Sequence, residues 1–498
     1  MKKERQKISR QENKQATVVP EARPISAAGR AGWILAATIL GSAMAFIDST
    51  VINVALPVLQ KSLGADVSQA QWIVDAYLLV LSSLMLAGGA LGDRIGRVRV
   101  FAAGVALFGA ASAWCGFANS ATMLIAARAA QGIGAALLVP GSLSIITATF
   151  PPERRGKAIG TWSAMTSLAI IAGPLLGGWL VQTVSWRAVF YINMPIAAAT
   201  LLIVWFKVPG LKGTVTGAID WAGTALITLA LGAATYGLIE SRWIAGGVAV
   251  VAFIAFVLVE HHTKEPIVPL TLFRSRTFTG ANILTLLLYG ALSAATFLLP
   301  FNLIQVQHYS PAKAGAAFLP FVATMSLLSR WSGALADRIG PRVPLIVGPL
   351  VAGTGFALMT LPGIGGSYWT TFFPGILTLG IGMSITVAPL TTTVMTSIDD
   401  ERHAGAASGI NNTIARAAGL LAIALFGSIA VTIFSHQLAG RLSPKEAAKL
   451  TAAKPPPGVS QRVIDEAFLH AFRVNMIAAA AIAVASAGGA LVIRAKRA

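Results

Sequence analysis

Two ionisable residues stand inside long apolar stretches, where their chemistry is constrained. Asp48 lies in Phe46-Ile47-Asp48-Ser49-Thr50, and Arg128 lies four residues before Gly132. A bare carboxylate in hydrocarbon is costly, so Asp48 must face protein or water, or carry a proton. That makes it a natural proton carrier. Gly41, Ala45, Asp48 and Ala55 share a helical face whose small residues permit either close packing or a cavity. Counted at about 1.5 Å per residue from the same membrane face, Arg128 and Asp48 lie about 10 and 14 Å deep. The two can therefore meet, and Arg128 would then set how readily Asp48 holds a proton. A purely structural pair, or an arginine snorkelling outward, is the competing reading. Asp75, flanked by Trp72 and Tyr77, is a second candidate titrating group, although the aromatics fit an interfacial belt. Thr50, Asn53, Asn411, Asn412 and Arg416 place further polar groups at mid-depth as candidate cavity lining.

Other segments have the composition of moving parts. Gly89, Gly92, Asp93, Arg94, Gly96 and Arg97 form a turn in which Gly96 permits the reversal. Asp93 is placed to cap the next helix or to pair with Arg94 or Arg97, which would lock one state of a two-state machine. Charges that merely set topology are the alternative. Gly173, Pro174, Gly177 and Gly178 give a kinked, closely packed helix, read either as a gate or as a static bend.

These residues need a scaffold, and composition says which kind. Of 498 residues, 55% are hydrophobic and 11% charged, against about 25% charged in ordinary soluble domains. The chain is an integral membrane protein. Fourteen apolar runs are long enough to cross a bilayer: 33–57, 70–91, 98–118, 121–146, 158–182, 187–206, 220–240, 243–261, 278–303, 312–335, 343–362, 370–394, 406–434 and 473–493. Their length excludes a β-barrel. The net charge of +19 suggests nucleic acid at first. With the N-terminus inside, however, 25 of the 38 Lys and Arg fall in inner tails and loops, the pattern that puts both termini in the cytoplasm. The charge is topogenic, and no nucleic-acid partner follows. Cys115 is the sole cysteine, no phosphate-binding loop or His-Glu-x-x-His occurs, and the six histidines are scattered. Catalytic constellations, metal sites and cofactors are not expected.

A repeat organises the helices. Gly89-Ala-Leu-Gly-Asp93-Arg94-Ile-Gly96-Arg97 returns 244 residues later as Gly333-Ala-Leu-Ala-Asp337-Arg338-Ile-Gly340-Pro341-Arg342. Gly132-Ile-Gly134 with Pro140 returns as Gly380-Ile-Gly382 with Pro389, 248 residues on, while Arg128 has Ile376 in the matching place. Two offsets so similar argue for duplicated six-helix units. The expected organisation is a disordered basic tail (1–32), a six-helix bundle (33–206), two inserted helices with linkers (207–277), and a second bundle (278–498). The last contains an outer loop, 435–472, with a helix start at Ser443-Pro444 and a separate amphipathic piece at 460–472.

In sum of motifs, the chain resembles the fourteen-spanner drug:proton antiporter branch of the major facilitator superfamily over nearly its whole length. The 89–97 segment is similar to that superfamily's signature after the second helix. Asp48-Ser-Thr50-Val-Ile-Asn53-Val-Ala55-Leu-Pro57 resembles the branch's first-helix motif. Arg128 with Gly132 and Gly134 resembles the fourth-helix motif assigned to proton coupling, and Gly173, Pro174, Gly177 and Gly178 the fifth-helix antiporter motif. Two departures are Ala169 for the motif's usual leading glycine, and Pro341 where the first copy has Arg97. The resemblance implies an all-α fold of 14 transmembrane helices in a bacterial cytoplasmic membrane, with no enzymatic activity. It implies export of an amphipathic, often cationic, drug or toxic metabolite in exchange for protons. Its partners would be the small-molecule substrate, protons, the lipid bilayer and a periplasmic adaptor. On the residues alone, uptake, sodium coupling or a non-transporting membrane sensor remain alternatives.

Overall fold

The computed structural model describes residues 28–209, 219–263, 265–397, 401–438 and 459–493. Most of the expected tail 1–32, the helix start at Ser443-Pro444, and the side chains of Arg330 and Asp337 lie outside the described residues. Every described regular element is helical. We label the long helices α1 (Ala28–Leu63), α2 (Val67–Ile95), α3 (Arg97–Phe117), α4 (Ala121–Thr149), α5 (Pro152–Thr183) and α6 (Ala188–Lys207). Then come α7 (Trp221–Ile239), α8 (Trp243–His262), α9 (Arg276–Val306), α10 (Leu319–Ile339), α11 (Arg342–Leu358), α12 (Phe372–Thr396), α13 (Glu401–Gln437) and α14 (Gln461–Leu491). Thirteen of the described helices are long and apolar enough to cross a membrane; α11 is apolar but shorter. The chain is an all-α integral membrane protein.

Short turns reverse the chain at two ends of the bundle. One holds the Gly64 turn between α1 and α2, the other the Gly96 turn between α2 and α3. At the Gly64 end, Arg187 Nη2 donates to Ala118 O (3.0 Å) and Arg473 Nη2 to Pro362 O (2.9 Å). At the Gly96 end, Ser275 Oγ donates to Ser397 O (3.2 Å). Gly96 has φ 113, a conformation glycine alone adopts without strain.

The duplication expected from sequence has a packing counterpart. In the first half α3 crosses α4 where Gly104 meets Gly134: a Cβ on either would lie 2.9 Å from the other's carbonyl oxygen. In the second half α11 crosses α12 where Gly348 meets Gly382, again 2.9 and 2.7 Å from the opposing carbonyls. These pairs are offset by the same 244 and 248 residues as the motifs. At a third such pair, Gly88 lies against Ala136 O, and its counterpart Ser332 donates to Ser384 O (2.7 Å). Small residues let the backbones approach, which is how helices associate where lipid offers no hydrophobic driving force.

The inserted pair α7 and α8 lies beside the seam between the halves. Ser68 Oγ and Trp72 Nε1 of α2 donate to Glu240 Oε1 (2.6 and 3.2 Å), and Ser428 Oγ of α13 donates to Leu238 O (2.6 Å).

Several boundaries differ from expectation. Helix α1 begins at Ala28, inside the expected disordered tail 1–32, and α5 at Pro152 and α13 at Glu401 begin earlier than expected. Three further differences have identifiable causes. Helix α1 runs six residues past Pro57, because an interior proline removes one hydrogen bond without ending a well-packed helix. The expected run 312–335 is split: a short helix, Pro311–Ala316, turns at Ala317 and Phe318 into α10, which restarts with Pro320 in its first turn. The amphipathic piece at 460–472 is not separate. It is the start of α14, which has no breaker between Gln461 and Leu491, and its Phe468 ring meets Phe434 of α13 at 6.4 Å.

Among the described residues, the side-chain hydrogen bonds across the seam lie at the Gly64 end, while α13 also meets α2 further in, where a Cβ on Gly409 would lie 3.3 Å from Leu86 Cδ2. Gln71 Nε2 of α2 donates to Ile423 O and Ala424 O of α13 (3.1 and 3.2 Å), and Ala312 N donates to Gln182 Oε1 of α5 (3.3 Å). Toward the Gly96 end, Thr161 and Ser163 of α5 and Thr391 and Thr392 of α12 are exposed.

Candidate functional site

Asp48 and Arg128 meet, as their depths predict. Arg128 Nη1 donates to Asp48 Oδ2 at 2.5 Å, and both side chains are almost wholly buried, at 0% and 2% exposure. Two further donors complete the carboxylate: Gln131 Nε2 to Oδ1 at 2.8 Å and Asn193 Nδ2 to Oδ1 at 3.2 Å. Gln131 Oε1 accepts from Arg128 Nη1 (2.6 Å), and Ser112 Oγ accepts from both Gln131 Nε2 (3.3 Å) and Asn193 Nδ2 (2.9 Å). Arg128 Nε is anchored on Ile73 O (3.1 Å), and its guanidinium lies 4.3 Å from the centre of the Tyr77 ring. Helices α1, α2, α3, α4 and α6 thus converge on one buried charge pair. Such a network specifies its geometry when nearly every member is satisfied; Arg128 Nη2 is the guanidinium nitrogen left without a partner among the described residues.

Sequence reasoning missed Gln131, Ser112, Asn193 and the stacking role of Tyr77. Gln131 had a signal, since three residues after Arg128 it shares that helical face. Ser112 and Asn193 had none, because nothing in α3 or α6 indicates which neighbour they face. Asp75 does not join the network: it is fully buried, and neither carboxylate oxygen has a hydrogen-bond partner among the described residues.

Beside the pair lies a cavity of about 370 Å3 between the two halves. Helix α1 presents Phe46, Thr50 and Asn53, and α13 presents Asn412 and Arg416, each set at one-turn spacing so that one face fronts the space. Tyr289 and Ser293 of α9 line the same cavity. Of the expected lining residues, Thr50, Asn53, Asn412 and Arg416 are here. Asn411 is not: one position along a helix turns it about 100° away, and its Nδ2 donates to Asn282 Oδ1 (3.0 Å) and Thr285 Oγ1 (2.8 Å) of α9. No acidic side chain lines the described wall, so the expectation of a cationic cargo finds no counter-charge there. Asp48 itself stands behind Arg128, not in the wall.

The 173–178 segment is packed without slack. A Cβ on Gly173 would lie 2.9 Å from Thr50 Cβ and in contact with its hydroxyl, and one on Gly177 would lie 3.1 Å from Val51 O, so α5 rides directly on α1. A Cβ on Gly178 would lie 2.9 Å from Ala312 Cα and against Pro311 O; reciprocally, one on Gly315 would lie 2.9 Å from the Pro174 carbonyl carbon. This helix therefore joins the halves at the Gly64 end. At the other end, Arg97 Nε donates to Asp93 Oδ1 (2.7 Å) and Arg97 Nη1 to Ser144 O of α4 (3.1 Å). Of the alternatives open to Asp93, pairing with Arg97 is the one realised; the next helix has no side-chain cap. Gly89 faces Pro140 (3.7 Å) and Gly92 the Arg97 backbone (3.7 Å). In the second copy Arg338 is exposed, and Pro341 has no counterpart to the Arg97 bonds.

Two helical halves around a buried charge pair and a central cavity define a membrane transporter, not an enzyme. The chain belongs to the Major Facilitator Superfamily, whose family model matches residues 38–423. Among its relatives, the tetracenomycin C resistance and export protein of Streptomyces glaucescens is 31% identical, over 94% of this chain and 92% of the relative. The multidrug resistance protein Stp of Mycobacterium tuberculosis is 33% identical over 81% of this chain and 76% of the relative. The lincomycin resistance protein of Streptomyces lincolnensis is 34% identical over 80% and 83%. The fold is similar to the solved structure of a bacterial homologue of the human lysosomal transporter Spinster: TM-score 0.69, 18% identity, covering 94% of this chain and 98% of that one.

Proposed function

We propose that this transporter is a proton-coupled antiporter that exports drugs or toxic amphipathic metabolites across the bacterial cytoplasmic membrane. The observation that carries the reading is the buried Asp48–Arg128 pair, bordering a cavity between two halves. Removing both charges from water is costly, which favours a functional over a purely structural reading, and a carboxylate at that depth is a proton site by chemistry. The names of the resistance and export relatives support the direction of transport.

In this reading the Gly96 end and both termini are cytoplasmic, in line with the positive-inside distribution. We read the described state as closed on the outer side, supported by the hydrogen bonds across the seam at the Gly64 end. Because Asp48 sits behind Arg128, proton and substrate do not compete for one carboxylate. A proton arriving from outside dissolves the ion pair, frees Arg128 at the cavity wall, and biases the halves toward the other arrangement. Loss of the proton inside restores the pair. Asp75 is a second proton site. The Asp93–Arg97 pair is the latch that holds α2, α3 and α4 together at the cytoplasmic face, with Arg94, Asp337 and Arg338 as its neighbours and counterparts. Gly173, Pro174, Gly177 and Gly178 form the outer hinge. A periplasmic adaptor is the partner expected at the outer face.

Protonophore treatment tests the coupling. Cells producing the protein should hold a fluorescent amphipathic substrate at low concentration, and collapsing the proton gradient should raise accumulation to that of cells without it. Unchanged export after the gradient is lost would overturn the reading.

The hinge gives a second expected result. Gly178→Val forces a branched side chain against the backbone at Pro311 and Ala312, costing the sealed state about 1–3 kcal/mol. That shifts the balance of the two states roughly 5- to 150-fold. Cys115 is buried, so an introduced cysteine at Ser49 should be labelled from the outer face much faster in this variant, with export correspondingly reduced. Equal labelling would contradict the hinge.

A further inference from the structure

We propose that the cavity takes amphipathic substrates in their acidic or anionic form (aromatic carboxylates, enols and phenolates), with Arg416 receiving the acidic oxygen, and that it discriminates against lipophilic cations. This rests on the cavity being the substrate site.

The argument is one of charge placement. The formally charged side chains lining the cavity are Arg128 and Arg416; aspartate, glutamate, lysine and histidine are absent from the described wall. Arg128 has its charge neutralised by Asp48 and bonds Gln131 and Ile73 besides, with Nη2 alone unpartnered among the described residues. Arg416 has no such outlet. Among the described residues, it has neither a carboxylate within ion-pair distance nor a hydrogen-bond partner. Its guanidinium is held from across the seam by the Phe46 face, 5.3 Å from the ring centre, which engages the π-side of the cation and leaves its N–H edge free.

An unneutralised guanidinium in a wall whose other polar groups are neutral hydroxyls and amides, Thr50, Asn53, Ser293 and Asn412 among them, sets a positive potential in the cavity. A cationic guest would meet that potential with no counter-charge, whereas a carboxylate or phenolate would receive a charge-assisted, fork-like pair of hydrogen bonds. Asn412, one turn earlier on the same face, donates one amide N–H to Ser408 O (3.0 Å) and has its second for another oxygen, and Tyr289 and Phe321 supply flat apolar contact for a ring system. The division of labour follows the fold: Asp48 and Arg128 belong to the first half and Arg416 to the second. Proton and acidic cargo are thus handled by opposite halves.

Three probes that share one aromatic scaffold test this: its carboxylate, its primary amide and its trimethylammonium derivative. Equilibrium binding to the full-length protein in lipid nanodiscs is measured for each. The carboxylate should bind wild type about tenfold or more tightly than the cation, a comparison that needs no variant. Arg416→Gln should weaken the carboxylate about tenfold or more and move the amide by less than about threefold, with Arg416→Lys in between. Tighter binding of the trimethylammonium probe, or an unchanged carboxylate-to-amide ratio in Arg416→Gln, would overturn the inference while leaving transport at this cavity intact. Failure of all three probes to bind folded wild type would overturn the assignment of the cavity as the substrate site, and this inference with it.

Discussion

Asp48→Asn should abolish proton-driven export, reducing it about 100-fold or more, while leaving a folded protein. The amide keeps one oxygen acceptor where the carboxylate met Arg128 on Oδ2 and Gln131 and Asn193 on Oδ1, so its NH2 faces a donor on one side, and it removes both the negative charge and the exchangeable proton. The change also leaves Arg128 buried without its counter-charge, a break that costs up to about 3–5 kcal/mol, eased by the bonds Arg128 keeps to Ile73 O and Gln131 Oε1 and by the Tyr77 ring. The discriminating measurement is substrate exchange without a gradient, with labelled substrate on one side of a proteoliposome and unlabelled on the other. Asp48→Asn should retain that exchange within about threefold, because the uncharged site no longer needs a proton to change state. Loss of exchange as well as of uphill export would make Asp48 structural. Asp48→Glu serves as a companion: its extra methylene displaces the carboxylate from three donors set at 2.5, 2.8 and 3.2 Å. It should recover only a small part of the coupling.

Arg128→Ala should be the more destructive change for the fold. It strands Asp48 as a buried charge without its cation, and breaking such a pair from one side costs about 3–5 kcal/mol. It also empties the space under Tyr77 and frees Ile73 O. The expected outcome is a steep fall in the thermal midpoint of the detergent-solubilised protein, along with loss of export. Arg128→Lys keeps the charge but not the planar fork that reaches Ile73, Asp48 and Gln131 together, so it should fall between wild type and Arg128→Ala. The double variant Asp48→Asn/Arg128→Ala provides the check. If the cost of Arg128→Ala is the stranded carboxylate, removing that charge should restore about 2 kcal/mol or more, a strong non-additivity. Additive losses would mean the two residues act independently.

The two residues that the structure brings together, Asp48 and Arg128, were those whose cost is visible in one dimension. An acid and an arginine in hydrophobic runs each need a partner or water, and their depths along α1 and α4 allow them to meet. The repeat was equally legible, since its 244- and 248-residue offsets reappear as facing glycine pairs at the α3–α4 and α11–α12 crossings. What failed did so where neighbours decide. Neutral residues such as Ser112 and Asn193 impose no penalty in sequence and acquire meaning when α3 and α6 bring them within 2.9 Å. Asn411 and Asn412 read alike, yet a single residue step sends one into the wall of α9 and the other into the cavity. The split of the 312–335 run at Ala317 was obscured because Pro320 starts a helix as readily as it ends one. The charge of the cavity is likewise a property of two halves together: neither Arg128 nor Arg416 alone reveals that one is neutralised and the other is not.

The most direct test of the account uses inside-out membrane vesicles with an acidic interior, whose lumen corresponds to the outside of the cell. Adding substrate should draw protons out of the lumen as substrate enters, seen as collapse of the imposed pH gradient, and Asp48→Asn vesicles should show no collapse at equal protein content. Substrate accumulation in wild-type vesicles without proton efflux, or undiminished efflux in Asp48→Asn, would contradict it.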